Sequence, residues 1–477
     1  MKKKLILVVG LLGFITTIVG QSITGFTNEW NNTYSTSNGI FARAIIDNGS
    51  LLVSGSTWSS WPSGTRDQMI TKISATGNMI FQTVRAPGTD HDVFQSVCIL
   101  DNGNYAFFGQ QNADGTQYFD AFFTVFNTNG VEVSHNFFSI PGSSSGDDMK
   151  KLPNGNLVFT GNHGGGLNFV ALTDQSFNQI NYQTFPVGLW NGAQLAVDSA
   201  NSLIYAIGSY SGSTVIQIKK YDYSLNLLGS FTITNTEAMG NYDAVILNNN
   251  LLLCGYKEIE GARYGSISKL DSNGNIVDSY ISSTVSEFTA ITTFGNEVVV
   301  SKSNLSTSNY SISNELQVYL GNGMIGNTFI LNNGAPFVVS DLVLDQNSLY
   351  ITGAQITGES VGIPAVQKVS IQAENTCSTL VINTGVLGFN PVTYNNTVTI
   401  YPNPANDHIT IDCGNLANVS GWTIKIVNTL SQEVFTGAMN TQQYVVPLNT
   451  WNGQGVYFVK IYDASNNLVN TKKIILQ

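Results

Sequence analysis

Cys98-Ile99-Leu100-Asp101-Asn102-Gly103-Asn104-Tyr105-Ala106-Phe107-Phe108-Gly109 is an apolar run, an Asn-Gly turn, a second apolar run and a small residue six positions beyond the turn. Asn-Gly between apolar runs supplies the positive φ that a tight hairpin needs, so the stretch predicts two antiparallel strands. The same unit recurs at Gly49 with Gly55, Gly155 with Gly161, Ser202 with Gly208, Asn249 with Gly255, Gly295 with Ser301 and Asn347 with Gly353. Successive turns are 54, 52, 47, 47, 46 and 52 residues apart, the length of a four-stranded propeller blade and too short for a stack of sandwich domains.

A third strand follows each small residue after a variable loop, as in Met69 to Ser74 and Phe122 to Asn127. A fourth follows a short turn, as at Thr76-Gly77-Asn78, Asn129-Gly130 and Asn273-Gly274-Asn275. The seventh unit has no downstream fourth strand, but Glu29-Trp30-Asn31-Asn32-Thr33-Tyr34-Ser35, ahead of the first unit, has the same character. Pairing the two chain ends would remove an exposed sheet edge. The fold expected is all-β, a seven-bladed β-propeller over residues 21–372 with N-terminal strand closure, and then a small Ig-like β-sandwich.

Composition agrees. Gly is present 46 times, aromatic residues make up 11% and charged residues only 11%, the profile of a turn-rich extracellular β protein. Lys2, Lys3 and Lys4 precede an apolar run from Leu5 to Val19, the n- and h-regions of a signal peptide spanning 1–20. The run falls short of the ~20 residues a spanning helix needs, so no transmembrane segment is expected in the mature chain. Loss of the three lysines takes the net charge from −11 to −14, and no basic stripe exists, which argues against nucleic acid as a partner. Cys98, Cys254, Cys377 and Cys413 are too widely spaced for a zinc site or a disulfide framework, although a Cys377–Cys413 bridge is open to the chain.

Residues 393–477 read as short alternating strands with Asn, Gly and Pro turns, the pattern of a small sandwich. Within them stand Tyr401-Pro402-Asn403-Pro404, then Gly455-Val456-Tyr457-Phe458-Val459-Lys460 and finally Lys472-Lys473-Ile474-Ile475-Leu476-Gln477. This stretch closely resembles the type A C-terminal sorting domain of proteins exported by the bacterial type IX secretion system. The resemblance implies passage across the outer membrane, contact with that machinery through Tyr401, Pro402, Asn403, Pro404, Gly455, Tyr457, Lys460 and Lys472, and a secreted or surface-attached product. Residues 373–392 would be the linker.

Several strings mimic catalytic motifs. Gly142-Ser143-Ser144-Ser145-Gly146 fits a nucleophile elbow and His163-Gly164-Gly165-Gly166 an oxyanion string, but no helix pattern follows the serine. Gly321-Asn322-Gly323-Met324-Ile325-Gly326 is followed by β-type residues and reads as a hairpin turn. Asp90-His91-Asp92 and Asp147-Asp148 read as solvated loop acids. No catalytic residue, metal site or cofactor is assigned. In a propeller the loops from second to third strand and into the next blade emerge at one end, and here they carry Trp58, Trp61, Arg66, Asp92, Tyr118, Trp190, Tyr210, Arg263 and Tyr264. Aromatic planes with nearby polar groups suit a glycan or a surface protein. A non-catalytic binding platform is the first expectation; a polysaccharide hydrolase or lyase with its acid and base on that face is the second.

Overall fold

The computed structural model describes residues 19–35, 38–59, 65–86, 92–111, 119–138, 144–163, 167–186, 193–209, 212–305, 311–321, 323, 325–331, 336–357, 362–377, 398–412, 421–439, 441–449, 451 and 454–477. Among them there is no helix, hence none long and apolar enough to cross a membrane. The chain divides into two compact units, with the boundary after Thr379.

In the first unit β1 (Val19–Thr33) is followed by five four-stranded antiparallel sheets in chain order. The first sheet is β2 (Gly39–Asp47), β3 (Ser50–Trp58), β4 (Arg66–Ile73) and β5 (Met79–Arg85). The second is β6 (Val93–Ile99), β7 (Tyr105–Gln111), β8 (Asp120–Phe126) and β9 (Glu132–Phe137). The third is β10 (Ser144–Lys151), β11 (Leu157–His163), β12 (Leu167–Thr173) and β13 (Gln179–Pro186). The fourth is β14 (Ala193–Asp198), β15 (Leu203–Gly208), β16 (Val215–Asp222) and β17 (Leu227–Thr234). The fifth is β18 (Met239–Leu247), β19 (Asn250–Ile259), β20 (Ala262–Leu270) and β21 (Ile276–Val285). Then come β22 (Glu287–Phe294), β23 (Glu297–Leu305), β24 (Ser311–Tyr319) and β25 (Ile325–Ile330), and after them β26 (Phe337–Asp345), β27 (Ser348–Ile356) and β28 (Gly362–Cys377). With β1, these last two groups count as one eight-stranded sheet, because a single pair, Ser313 with Phe337, bridges them. β1 lies antiparallel to β28, from Val19 opposite Cys377 to Thr33 opposite Ala365.

The first strands of these groups touch in succession, β2 to β6, β10, β14, β18, β22 and β26, and β26 touches β2 again. Strand alternation explains how the sheets stack. Leu51 and Val53 face Tyr350 and Val366, whereas Leu52 faces Phe94 and Phe107 on the other side. Seven buried clusters of this kind each join two neighbouring groups. Fully burying one such Leu or Phe contributes about 1.5–3 kcal/mol.

The recurring small residue has a steric cause. At Gly55, Gly109, Gly161, Gly255 and Gly353 an added Cβ would collide with a carbonyl oxygen of the first strand, which bulges toward it. The sixth unit departs from the sequence expectation by one residue. Its turn residues are Gly295 and Asn296, so the position equivalent to Gly55 is Lys302, opposite Phe288, and not Ser301.

The turns before the fourth strands lock each sheet to the one before it. Gly77, Gly130 and Gly274 have φ of 83°, 77° and 83°, and a Cβ there would strike Trp30, Phe81 and Phe231 of the preceding sheet. Where the turn carries Phe177 (φ 63°) instead, the side chain reaches back and stacks on Phe123 at 4.6 Å. Trp30 of β1 therefore plays toward the first sheet the part that Phe81 plays toward the second; Tyr34 adds an O–H donated to the Gly77 carbonyl at 2.9 Å.

The second unit pairs β29 (Thr399–Tyr401), β30 (His408–Asp412) and β33 (Gln443–Pro447) in one sheet. β32 (Glu433–Met439), β31 (Trp422–Asn428), β34 (Gly455–Tyr462) and β35 (Leu468–Leu476) form another. One core joins both sheets, including Ile409, Ile411, Val446, Ile424, Val459 and Ile474.

Candidate functional site

Where the first strands converge, six of the seven carry a β-bulge: Phe41/Ala44, Phe94/Ser96, Gly146/Asp148, Asn241/Asp243, Phe288/Ala290 and Val339/Asp341. An extra residue in a bulge re-aims the side chains around it. Arg43, Ser96, Asp148, Gln194, Asp243, Ala290 and Asp341 thereby occupy equivalent places, one from each group. Arg43 reaches across: Nη1 lies 3.2 Å from Asp341 Oδ1, and Nη2 lies 3.2 Å from Asp243 Oδ1 and donates to Gln194 Oε1 at 2.6 Å.

Each aspartate also ties its sheet to the next. Asp148 accepts the Leu195 N–H at 3.1 Å, Asp243 the Ile291 N–H at 3.2 Å and Asp341 the Ala44 N–H at 2.9 Å. Burial opposes the charge on Arg43, yet Asp243, Asp341 and Asp148 outweigh it and hold the guanidinium above its ordinary pKa. Burial raises the Asp341 carboxyl, with Arg43 pulling the other way. Beside this ring a cavity of about 300 Å³ is lined by Arg43, Ser96, Cys98, Met149, Lys150 and Asp341 among others.

These carboxylates are engaged by a guanidinium and by backbone N–H groups, the arrangement of a structural clamp. No group of three or more His, Cys, Asp or Glu among the described residues could hold a metal ion. Asp148, read from sequence as a solvated loop acid, is 1% exposed on β10. Asp147 beside it is half-buried and accepts the Ala193 N–H at 3.0 Å and the Asn162 amide at 3.2 Å. Ser144 to Gly146 open a strand and no helix follows among the described residues; Gly142 and Ser143 of the apparent nucleophile string lie outside them.

The loop-end residues fall into two described groups. In the first sheet Arg66 lies over the Trp58 ring at 4.2 Å, Trp58 Nε1 donates to Ser56 Oγ at 2.9 Å, and the fully buried Asp92 donates its N–H to the Arg66 carbonyl at 3.0 Å. In the fifth, Arg263 lies over Tyr256 at 4.2 Å and pairs with Glu258 at 3.2 Å and Glu287 at 2.7 Å; Tyr242 donates to Glu287 at 3.0 Å. Tyr264 follows Arg263 on β20 and is half-buried. Trp61, Tyr118, Trp190 and Tyr210 lie outside the described residues, as do Asp90, His91, Cys413 and the Cys377 side chain. Cys98 and Cys254 are buried and in no disulfide, as their apolar surroundings in sequence suggest.

Sequence reasoning missed Arg43, Gln194, Asp243, Asp341 and Glu287. A signal existed for three of them: Arg43, Asp243 and Asp341 each stand six residues before the turn residue of their unit, at Gly49, Asn249 and Asn347, inside otherwise apolar strands.

In the second unit the first and last pieces of the tail meet. Asn403 donates its amide to the Lys473 carbonyl at 3.0 Å and accepts the Ile475 N–H at 2.8 Å, so one side chain imitates a strand partner along β35. Ala405 donates to Ile475 at 2.9 Å and accepts from Gln477 at 3.1 Å. Tyr401, beside Pro402, is exposed, Pro404 follows Asn403, and Tyr457 is buried against Trp451 with ring centroids 5.4 Å apart. Gly455 opens β34 at φ 136° opposite Leu476, and Lys460 and Lys472 are half-buried on the paired strands β34 and β35.

The chain is thus an all-β, propeller-like repeat body followed by a small unit whose ends are clasped together. Residues 399–477 match the family model of the secretion system C-terminal sorting domain, the tail of type IX secretion cargo, which implies export to the cell surface or the medium through that machinery. No curated protein matches the chain. Among solved structures, Raptor of Chaetomium thermophilum is 11% identical over 75% of this chain and 30% of its own, with a TM-score of 0.47. PorZ, a bacterial surface component of the type IX secretion system of Porphyromonas gingivalis, is 12% identical over 96% of this chain and 75% of its own, TM-score 0.35. The polysaccharide lyase Uly1 is 9% identical over 72% and 99%, TM-score 0.44. Identities and scores this low assign no activity.

Proposed function

We propose that residues 21–372 form a seven-bladed propeller closed by β1, and that after removal of a signal peptide at 1–20 it serves outside the cell as a non-catalytic platform binding glycan or protein. Residues 373–392 are the linker and 393–477 the sorting domain in this reading. The observation that supports it is the commitment of the convergent carboxylates: Asp148, Asp243 and Asp341 each hold a neighbouring sheet by its backbone N–H. A glycosidase needs two carboxyls facing an open site at a defined separation, one of them free to protonate a leaving group. The loop end, with Trp58, Trp61, Arg66, Tyr118, Trp190, Tyr210, Arg263 and Tyr264, is then the ligand face; Asp92, read from sequence as a solvated loop acid, is fully buried and does not face a ligand.

The test is a panel of polysaccharides and surface proteins assayed for capture and, in parallel, for new reducing ends. Replacing Trp58, Trp61 and Trp190 together by Ala should weaken capture by about 1–3 kcal/mol per true anchor and leave the melting temperature nearly unchanged. Capture undiminished by the triple substitution would refute the assignment of that face.

A further inference from the structure

Beside the paired chain ends lies a groove of about 1010 Å³ between the last residues of β1, the end of β27 and the outer strands of the first sheet. Its polar lining includes Asn32, Asp67, Gln82 and Gln355, and Met79 and Val84 stand in its wall. Met79 is 53% and Val84 48% exposed, so apolar surface is on offer beside the amides.

Two features restrict the ligand. Among the described residues no lysine or arginine lines the groove, so none of them would neutralise a phosphate, a sulfate or a uronic acid. Among the described residues neither a hydrogen bond nor an ion pair engages the Asp67 carboxylate, and burial alone raises its pKa. Its lone pairs are therefore left for a donor brought by something else. The amides, in contrast, are already fixed: Asn32 donates to the Gly77 carbonyl at 3.0 Å, and Gln82 to the Tyr34 carbonyl at 2.8 Å and Thr71 Oγ1 at 3.0 Å. Side chains held before the ligand arrives lose little freedom on binding. An uncharged ligand with many hydroxyls meets all of this. Its O–H groups donate to the carboxylate, and its C–H faces rest on Met79 and Val84.

We propose that this seam groove is the binding site for a neutral oligosaccharide chain, with Asp67 and Gln355 as its hydrogen-bonding residues. The proposal rests on the glycan branch of the platform reading but puts the site elsewhere. Thr57 and Asp67 face the seventh group of strands, whereas Trp58 and Arg66, one residue along, face the second sheet.

The experiment is titration of the full mature chain with cello-, malto-, manno- and xylohexaose, with an oligogalacturonate as the anionic control. At least one neutral hexasaccharide should bind, the oligogalacturonate should not, and Asp67→Ala and Gln355→Ala should each weaken binding tenfold or more with the melting temperature unchanged. A bound hexasaccharide indifferent to both changes overturns the groove, as does binding of the anionic sugar alone or of no sugar. Loss in the Trp58, Trp61 and Trp190 triple variant alone overturns the groove and leaves the loop face standing. Loss in the Asp67 and Gln355 variants alone does the reverse.

Discussion

In the N-terminal unit seven strands converge on one arginine and three aspartates, whereas the C-terminal unit closes two sheets over a core with no buried polar or charged residue among those described. The difference follows from geometry. Two sheets meeting face to face can fill the gap with alternating apolar side chains such as Ile409, Ile424 and Val459. Sheets that converge edge-first bring backbone N–H groups to a common axis, and those groups need acceptors. Aspartates supply them, and Arg43 supplies the charge that lets the aspartates stay buried.

The sharpest way to break the contrast is Arg43→Met. It leaves Asp243 and Asp341 buried without their cation, and breaking a buried pair by removing one partner costs about 3–5 kcal/mol. Chemical unfolding followed by probes in each unit should show that loss in the N-terminal transition and none in the C-terminal one. A loss below about 1 kcal/mol would mean the charges are incidental to the convergence.

A smaller effect is expected at Asp147. Burial pushes its pKa from the ordinary 3.8 up to about 7; the Ala193 N–H opposes the rise and the charge of Asp148 adds to it. A carboxyl raised in the folded state binds a proton there that the unfolded chain has already released, so stability falls as pH rises from about 4 to about 7 and is flat above. Asp147→Asn keeps an acceptor for Ala193 and removes the titration. The variant should gain on the order of 2 kcal/mol over wild type between pH 4 and pH 8, a figure discounted for the partial exposure of the carboxyl. A difference that does not change with pH would show that Asp147 titrates normally.

The smallest change is Asn403→Ala, which removes both bonds to β35. About 1–2 kcal/mol should be lost from the sorting unit alone. An equal loss in the N-terminal transition would show that the two units do not unfold separately.

Most of the strand pattern was legible in sequence because the turns announce themselves: Asn-Gly and its equivalents fix the hairpins, and Trp30 and Tyr34 mark β1 as a strand of the same kind. The convergent ring was not legible. Arg43, Asp243 and Asp341 share a place six residues before their turns, but that register does not name a partner some 300 residues away, and only the bulges bring Arg43 and Asp341 together. The sixth unit was misread by one residue because its glycine occupies the first turn position and not the second. Phe177 and Leu225, at φ of 63° and 60°, hid two further turns, since bulky residues there are chosen by the packing they make on the preceding sheet.

The buried carboxylates hold neighbouring sheets by their backbone N–H groups, and the proposed role is binding without cleavage. The most direct measurement is the reducing-end arm of the polysaccharide panel, run on the wild-type chain at saturating protein. Capture of a polysaccharide or a surface protein with no new reducing ends is expected. Reducing ends that form with wild type and vanish with Asp92→Asn or Asp148→Asn would contradict it and make the protein a polysaccharide-cleaving enzyme.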